Sequence, residues 1–452
     1  MDCKASKGMS DNKQNIIEKL NIADSFTLAM DDEIRRDGLS GSLCGYALEL
    51  DKTPDITILS QRIEEFSQQF PLATASLQQQ GKHFYWCKRE TTPQLFYQHH
   101  APEDQSAQAF QKNTIDQLIN HKQTRESTAP IEFHLLISPA KVTFFIRWIH
   151  PFCDARGADL ILKYLCTADK QQRQLFGKPE SKPLVNVQLD KYRWWQKIIL
   201  LLKGKKYVAS IDKLKSIQPY ANEKAAQQHK HLIKRLSEAE TSTIQQLARK
   251  HVGLTGTSLY YIGCLMRALE KMNPEHEGDA YCAPYAFNLR KQRAISPLTS
   301  NHVCALFAQA PREIVKDREQ LFKHLKQQNM DVIRQKLDYA FLPLMWAGSW
   351  LSLQEYGKIL RLSSSGQERS SFWFSDIGKL DLAKECFPGA EVSAIFHLCQ
   401  VTSPPALAFL NCIFKGQLTL SYNFVEPLMT AEQIETLHAL VVSELLEQSD
   451  SA

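Results

Sequence analysis

The stretch RWIHPFCDARGADLILKYL, residues 147–165, decides how the rest of the chain is read. A strand-like apolar run stops at His150, Asp154 follows after three residues, and a small turn holding Gly157 leads into a periodic segment. There Ala158, Ile161, Leu162 and Leu165 recur at i, i+3, i+4 and i+7, the spacing of an amphipathic helix. Histidine suits a general base because its ordinary pKa lies near neutral pH, provided one tautomer is held. At a strand end, the His150 ring projects from a sheet edge into a cleft. Asp154 stands where the helix begins, and is either its cap or a buried charge that needs a cation. On spacing alone the pattern is weak, since most such histidines are structural or exposed.

Working outward, IEFHLLISPAKVTFFIRWI (131–149) is two strand-like runs around a turn, the pattern of a hairpin. GSLCGYALEL (41–50) reads as a strand, and DITILSQRIEEFSQQF (55–70) as a helix with Ile58, Ile63 and Phe66 on its apolar stripe. Beyond the opening stretch, FGKPESKPLVNVQLDKY (176–192) reads as a linker. A second set of elements follows: two helical patterns over 241–272, a strand within 278–292, a helix over 317–337 and a strand and turn at 369–381. EVSAIFHLCQ, PPALAFLNCIF and GQLTLSYNF are three more strands, and TAEQIETLHALVVSELLEQ (430–448) is a closing helix capped by Thr430 with Gln433 three residues on. The expected fold class is α/β with mixed sheets in two lobes: a disordered 1–15, a first lobe over 16–185, a basic aromatic crossover over 186–210 and a second lobe over 211–452.

Composition narrows the function classes. A chain of 452 residues suggests more than one core. The net charge of +5 is mild for that length and, without a zinc-finger or RNA-binding signature, does not argue for nucleic acid. The 11 cysteines lack any Cys-x-x-Cys and sit mostly in apolar runs, which reads as buried thiols, and no metal is expected. The N-terminus has no signal-peptide core and no apolar run approaches the ~20 residues of a membrane span, so a cytoplasmic protein is expected. There is no Gly-x-Ser-x-Gly elbow and no phosphate-binding loop. The histidine pairs His99, His100 and His229, His231 lack zinc-spaced companions and read as loop or helix-surface residues.

The strand, the HPFCDARGADLILKYL segment and its helix resemble the active-site motif of the chloramphenicol acetyltransferase-like acyltransferases. That superfamily includes condensation domains, wax ester synthases, alcohol O-acyltransferases and polyketide-associated acyltransferases. His150 and Asp154 match its His-x-x-x-Asp, while Ile149 stands in place of a first histidine and Ala155 in place of a glycine. Further on, FNLRKQ (287–292) resembles the family's Asn-Leu-Arg strand, FSDIGKLD (374–381) its Ser-Asn-x-Gly turn with Asp376 at the asparagine position and Gly378 two on, and residues 416–446 its closing strand and helix. The resemblance spans residues 20–448. It implies two lobes in a V with a tunnel between them, and His150 midway as the base that takes a proton from an acceptor hydroxyl or amine attacking an acyl thioester.

The same resemblance implies that Asp154 is a brace paired with Arg290, and that Ala155, Gly157, Ser375, Asp376 and Gly378 line the site. Ser375 is a candidate to help hold the oxyanion and reads equally as a turn serine. Asp376 would compete with Asp154 for Arg290 or raise the basicity of a nearby imidazole. No cofactor is expected to be bound. The acyl group would arrive in trans on coenzyme A or on a phosphopantetheinyl acyl carrier protein, with a small-molecule alcohol or amine as acceptor, in lipid or secondary metabolism, on a monomer. The rival reading is a catalytically degenerate condensation-like domain that recruits a partner. Residues 191–207, KYRWWQKIILLLKGKKY, hold six Lys/Arg and no acid. They read three ways: a peripheral contact with the inner membrane face, a basic dock for a carrier protein or coenzyme A phosphates, or a buried crossover helix with snorkelling lysines.

Overall fold

The computed structural model describes residues 15–176, 183–220, 227–253, 256–290, 294–382 and 387–448. The expectation of disorder over residues 1–14, and the 177–182 part of the expected linker, lie outside the described residues. Among the described residues there are fourteen strands: β1 (Ile16–Lys19), β2 (Leu43–Leu50), β3 (Ser76–Gln80), β4 (His83–Cys87), β5 (Phe96–His100), β6 (Ile131–Ser138), β7 (Lys141–Ile149), β8 (Gln228–Arg235), β9 (Ala280–Asn288), β10 (Val303–Pro311), β11 (Trp373–Lys379), β12 (Val392–Cys399), β13 (Leu407–Phe414) and β14 (Gln417–Glu426). They form a three-stranded sheet β1-β4-β3, a five-stranded sheet β12-β2-β7-β6-β5 and a six-stranded sheet β10-β9-β11-β13-β14-β8. The two larger sheets are mixed: β5 runs parallel to β6, and β11 runs parallel to both β9 and β13.

The hairpin that carries His150 is the centre of the five-stranded sheet. In β7 every residue after Lys141 is buried, because both faces are covered. Phe144, Ile146 and Trp148 pack with helices Ile56–Gln69 and Ala155–Cys166, while Phe145 faces the other way, into a cluster with Phe110, Ile115 and Ile119 of helix Ala107–Asn120. The six-stranded sheet packs against helices Glu238–Val252, Thr257–Met272 and Ala431–Leu446 around Tyr260, Leu265, Phe409 and Leu437. The closing helix begins as expected: the Thr430 hydroxyl accepts from the Gln433 amide at 3.2 Å, and Gln433 Oε1 accepts from the Thr430 amide at 2.9 Å.

Three sequence expectations need correction. First, β12 follows the expected crossover in sequence yet pairs with β2, with His397 opposite Tyr46 and Cys399 opposite Cys44. The two expected lobes therefore do not each own their strands. Second, residues 184–190, read as part of a linker, form helix Leu184–Asp190; residues 191–207, for which a crossover helix was one reading, enter helix Trp194–Ile211. They pack with helix Leu337–Gly348 in a separate apolar cluster. Third, the histidine pairs lie on strands: His99 and His100 on β5, His229 and His231 on β8. His229 is fully buried, and His231 lies 3.1 Å from Asp116.

In helix Ile56–Gln69 the stripe is Leu59, Ile63 and Phe66, all at or below 3% exposure, whereas Ile58 is 42% exposed. One position separates the two readings: Leu59, Ile63 and Phe66 fall at i, i+4 and i+7 on the buried face, while Ile58, one residue earlier, points to water. Leu59→Ala is expected to cost about 2–5 kcal/mol in urea denaturation, and Ile58→Ala to stay within about 0.5 kcal/mol of wild type.

Candidate active site

The end of β7 is held before any side chain is considered. The His150 amide donates to the Ser42 carbonyl at 2.8 Å, and the His150 carbonyl accepts from Asn301 Nδ2 at 2.9 Å. Asn301 is itself pinned, since its amide and its Nδ2 both donate to Asp24 Oδ1, at 2.7 and 2.9 Å. His150 is half-buried and lines a cavity of about 190 Å³. Burial lowers its pKa from the ordinary histidine value, against smaller opposing pulls from its own carbonyl and from Asp154. Nδ1 is buried with no partner on another residue, so its own carbonyl is the acceptor in reach. Burial thus favours the neutral form of the imidazole.

Asp154 caps helix Ala155–Cys166, its Oδ1 accepting from the Gly157 amide at 2.8 Å. The same carboxylate takes Arg290 Nη1 at 2.9 and 2.8 Å on its two oxygens, and the His302 amide at 2.8 Å on Oδ2. Arg290 Nε donates to the Pro297 carbonyl at 3.1 Å. Burial alone would raise the Asp154 pKa; Arg290 first, then the His302 amide, outweigh it and hold the carboxyl below its ordinary value. Asp154 thus ties the helix to Arg290 and to the His302 backbone.

Gly157 does not line the cavity. A Cβ there would stand 2.3 Å from the Leu298 carbonyl oxygen and 3.1 Å from Cys153 Cβ, so only glycine allows the helix and the 297–300 segment to touch. Ala155, by contrast, lines the cavity, and its carbonyl accepts from the Tyr46 hydroxyl at 3.2 Å. Ser375 on β11 lines the same cavity as His150. Asp376 and Gly378 do not line it, which corrects the expectation for both. Asp376 Oδ2 accepts from the Ser258 hydroxyl at 2.7 Å and Oδ1 from the Gly378 amide at 2.8 Å, so it competes for neither Arg290 nor an imidazole. Burial raises its pKa. Gly378 takes φ 76° at a register shift between Asp376 and Gly378, where the strand bulges.

Sequence reasoning missed two groups. Asn301 and Asp24 orient the His150 backbone; the available signal was the polar Ser300-Asn301-His302 run just before β10. His397 and Gln400, at the end of β12, line the cavity while both ring nitrogens of His397 and Oε1 of Gln400 are buried without partners. Such groups are rare in a folded interior. Burial pushes the His397 pKa down to about 3, so it is a neutral donor and acceptor.

Removing one partner of a buried pair strands the other charge. Arg290→Met is expected to lose about 3–5 kcal/mol in chemical denaturation. Because the folded Asp154 pKa lies below its unfolded value, this loss is full above the ordinary Asp pKa and shrinks only as pH falls through the lowered one.

No protein-family model matches the chain, and no curated protein matches it by sequence. Its fold does have counterparts. A trichothecene 15-O-acetyltransferase from Fusarium sporotrichioides superposes with a TM-score of 0.71 at 12% identity, covering 96% of both chains. Polyketide synthase associated protein 5 from Mycobacterium tuberculosis gives 0.66 at 12% identity, over 96% of this chain and 100% of that one. The starter condensation domain of rhizomide synthetase, solved in complex with C8-CoA, gives 0.68 at 11% identity, over 97% and 96%. The chain has the fold shared by these acetyltransferase, polyketide-synthase-associated and condensation-domain structures.

Proposed function

We propose that the chain is an acyltransferase that moves an acyl group from a thioester to a hydroxyl or amine, with His150 as general base. The observation that carries this reading is a neutral imidazole in the wall of a mainly apolar cavity, with both backbone groups of its residue held by hydrogen bonds. With its hydrogen on Nδ1, the ring presents an unprotonated Nε2 to an incoming acceptor. Nε2 takes the acceptor's proton as its oxygen or nitrogen attacks the thioester carbonyl. The tetrahedral intermediate expels the thiolate as the C–S bond breaks, and the imidazolium returns the proton to sulfur. Ser375, on the facing sheet, is the hydroxyl proposed to meet the oxyanion.

The donor is proposed to be acyl-CoA or an acylated phosphopantetheinyl carrier protein. The C8-CoA complex of the rhizomide synthetase domain supports a thioester of that kind. An alcohol acceptor is preferred over an amine, in keeping with the O-acetyltransferase of the same fold. The unpartnered ring nitrogens of His397 and Oε1 of Gln400 would then hydrogen-bond a polar group of the substrate within otherwise apolar walls.

Mass-spectrometric assay with acyl-CoA donors and a panel of alcohols and amines tests this. His150→Ala is expected to lose at least ~10²-fold in kcat, and Ser375→Ala roughly 10²-fold with little change in KM. The kcat/KM profile is expected to fall on the acid side with a midpoint below 6.5, since His150 must be unprotonated and burial lowers its pKa. Turnover that survives His150→Ala removes His150 as the base. Wild-type protein that binds a carrier protein but turns over no donor would instead support the partner-recruiting reading.

A further inference from the structure

We propose that the outer face of helix Trp194–Ile211 docks the protein on an anionic lipid surface. This stands apart from the acyl-transfer reading and does not depend on it. Trp194, Ile198 and Leu202 recur every four residues, with Trp195 and Ile199 beside them, and form one stripe along the first three turns. They are 74%, 46%, 60%, 45% and 46% exposed in that order of naming. The opposite face is spoken for: Leu200, Gly204 and Ile211 are buried. A Cβ at Gly204 would meet Leu344 Cδ1 at 2.6 Å and the Ala340 carbonyl oxygen at 2.9 Å, so this helix lies hard against helix Leu337–Gly348. The apolar stripe is therefore turned outward by packing, and the helix cannot roll to bury it.

Charge selects the occupant. The exposed Lys203, Lys205 and Lys206 follow the stripe on the last two turns, and no acidic residue occurs from Lys191 to Ile211. Lysine is depleted in protein–protein interfaces, whereas tryptophan beside aliphatic residues and flanking lysines is the make-up of a helix lying in an anionic headgroup layer. Among the described residues no helix is long and apolar enough to cross a membrane, so the contact is peripheral. Met345 of the partner helix lines the His150 cavity. Docking would thus place the cavity wall about one helix diameter, ~10 Å, from the lipid.

Flotation of the full chain with vesicles tests the proposal, without reference to any activity. Wild-type protein is expected to float with equimolar phosphatidylglycerol and phosphatidylcholine and much less with phosphatidylcholine alone. The double variant Ile198→Ser, Leu202→Ser and the triple variant Lys203→Glu, Lys205→Glu, Lys206→Glu are each expected to lower partitioning at least tenfold. Unchanged circular dichroism and thermal melting would show that both variants fold. Absence of flotation on anionic vesicles, or flotation that neither variant reduces, overturns the proposal. So does a dimer in sedimentation velocity that the apolar variant abolishes while wild type fails to float, since a second copy would then cover the stripe. Binding of an acidic carrier protein through this face without flotation would overturn it equally.

Discussion

The buried ion pair between Asp154 and Arg290 is the constraint on which the site rests. Both side chains are nearly inaccessible, and burying two charges costs several kcal/mol each unless they are paired and hydrogen-bonded. Here the carboxylate takes the guanidinium on both oxygens and the amides of Gly157 and His302 as well. Four contacts from three separate stretches of chain converge on one side chain, so none of those stretches moves without exposing a charge. Asn301, next to His302, carries the constraint to the His150 carbonyl. The carboxylate accordingly helps fix where the imidazole stands.

Burial acts on the neighbouring groups in opposite senses. It lowers His150 and takes His397 down to about 3, while it lifts Asp24 to about 7 despite two hydrogen bonds from Asn301. In each case the neutral form is favoured over the charged one. Asp154 alone resists, because a cation faces it directly. The cavity wall thus sets imidazoles whose neutral form burial favours among apolar side chains.

The parts of the fold legible from sequence were those set by local periodicity. Ala158, Ile161, Leu162 and Leu165 are all at or below 1% exposure, because a helix pressed on a sheet writes its buried face into residue spacing. The hairpin and the Thr430 cap were legible for the same reason. Ile58 in place of Leu59 shows the limit of that signal, a one-residue error of phase. What remained hidden depends on contacts distant in sequence. Asn301 reaches Asp24 across 277 residues, and Ser258 reaches Asp376 across 118. No local pattern records either bond, so the first was missed and the second led Asp376 to be placed in the cavity. Arg290 was found because a family resemblance carries long-range information that spacing does not.

The pairing of β12 with β2 has a consequence for how the protein is made. Residues 43–149 supply four of the five strands around His150, but the edge of β2 stays open until residues 392–399 leave the ribosome. For most of synthesis the nascent chain therefore presents an unpaired, largely apolar strand, a template for wrong partners. Closing it requires a contact across more than three hundred residues, and such closures are slow. The sheet that bears His150 is therefore completed only after almost the whole chain exists.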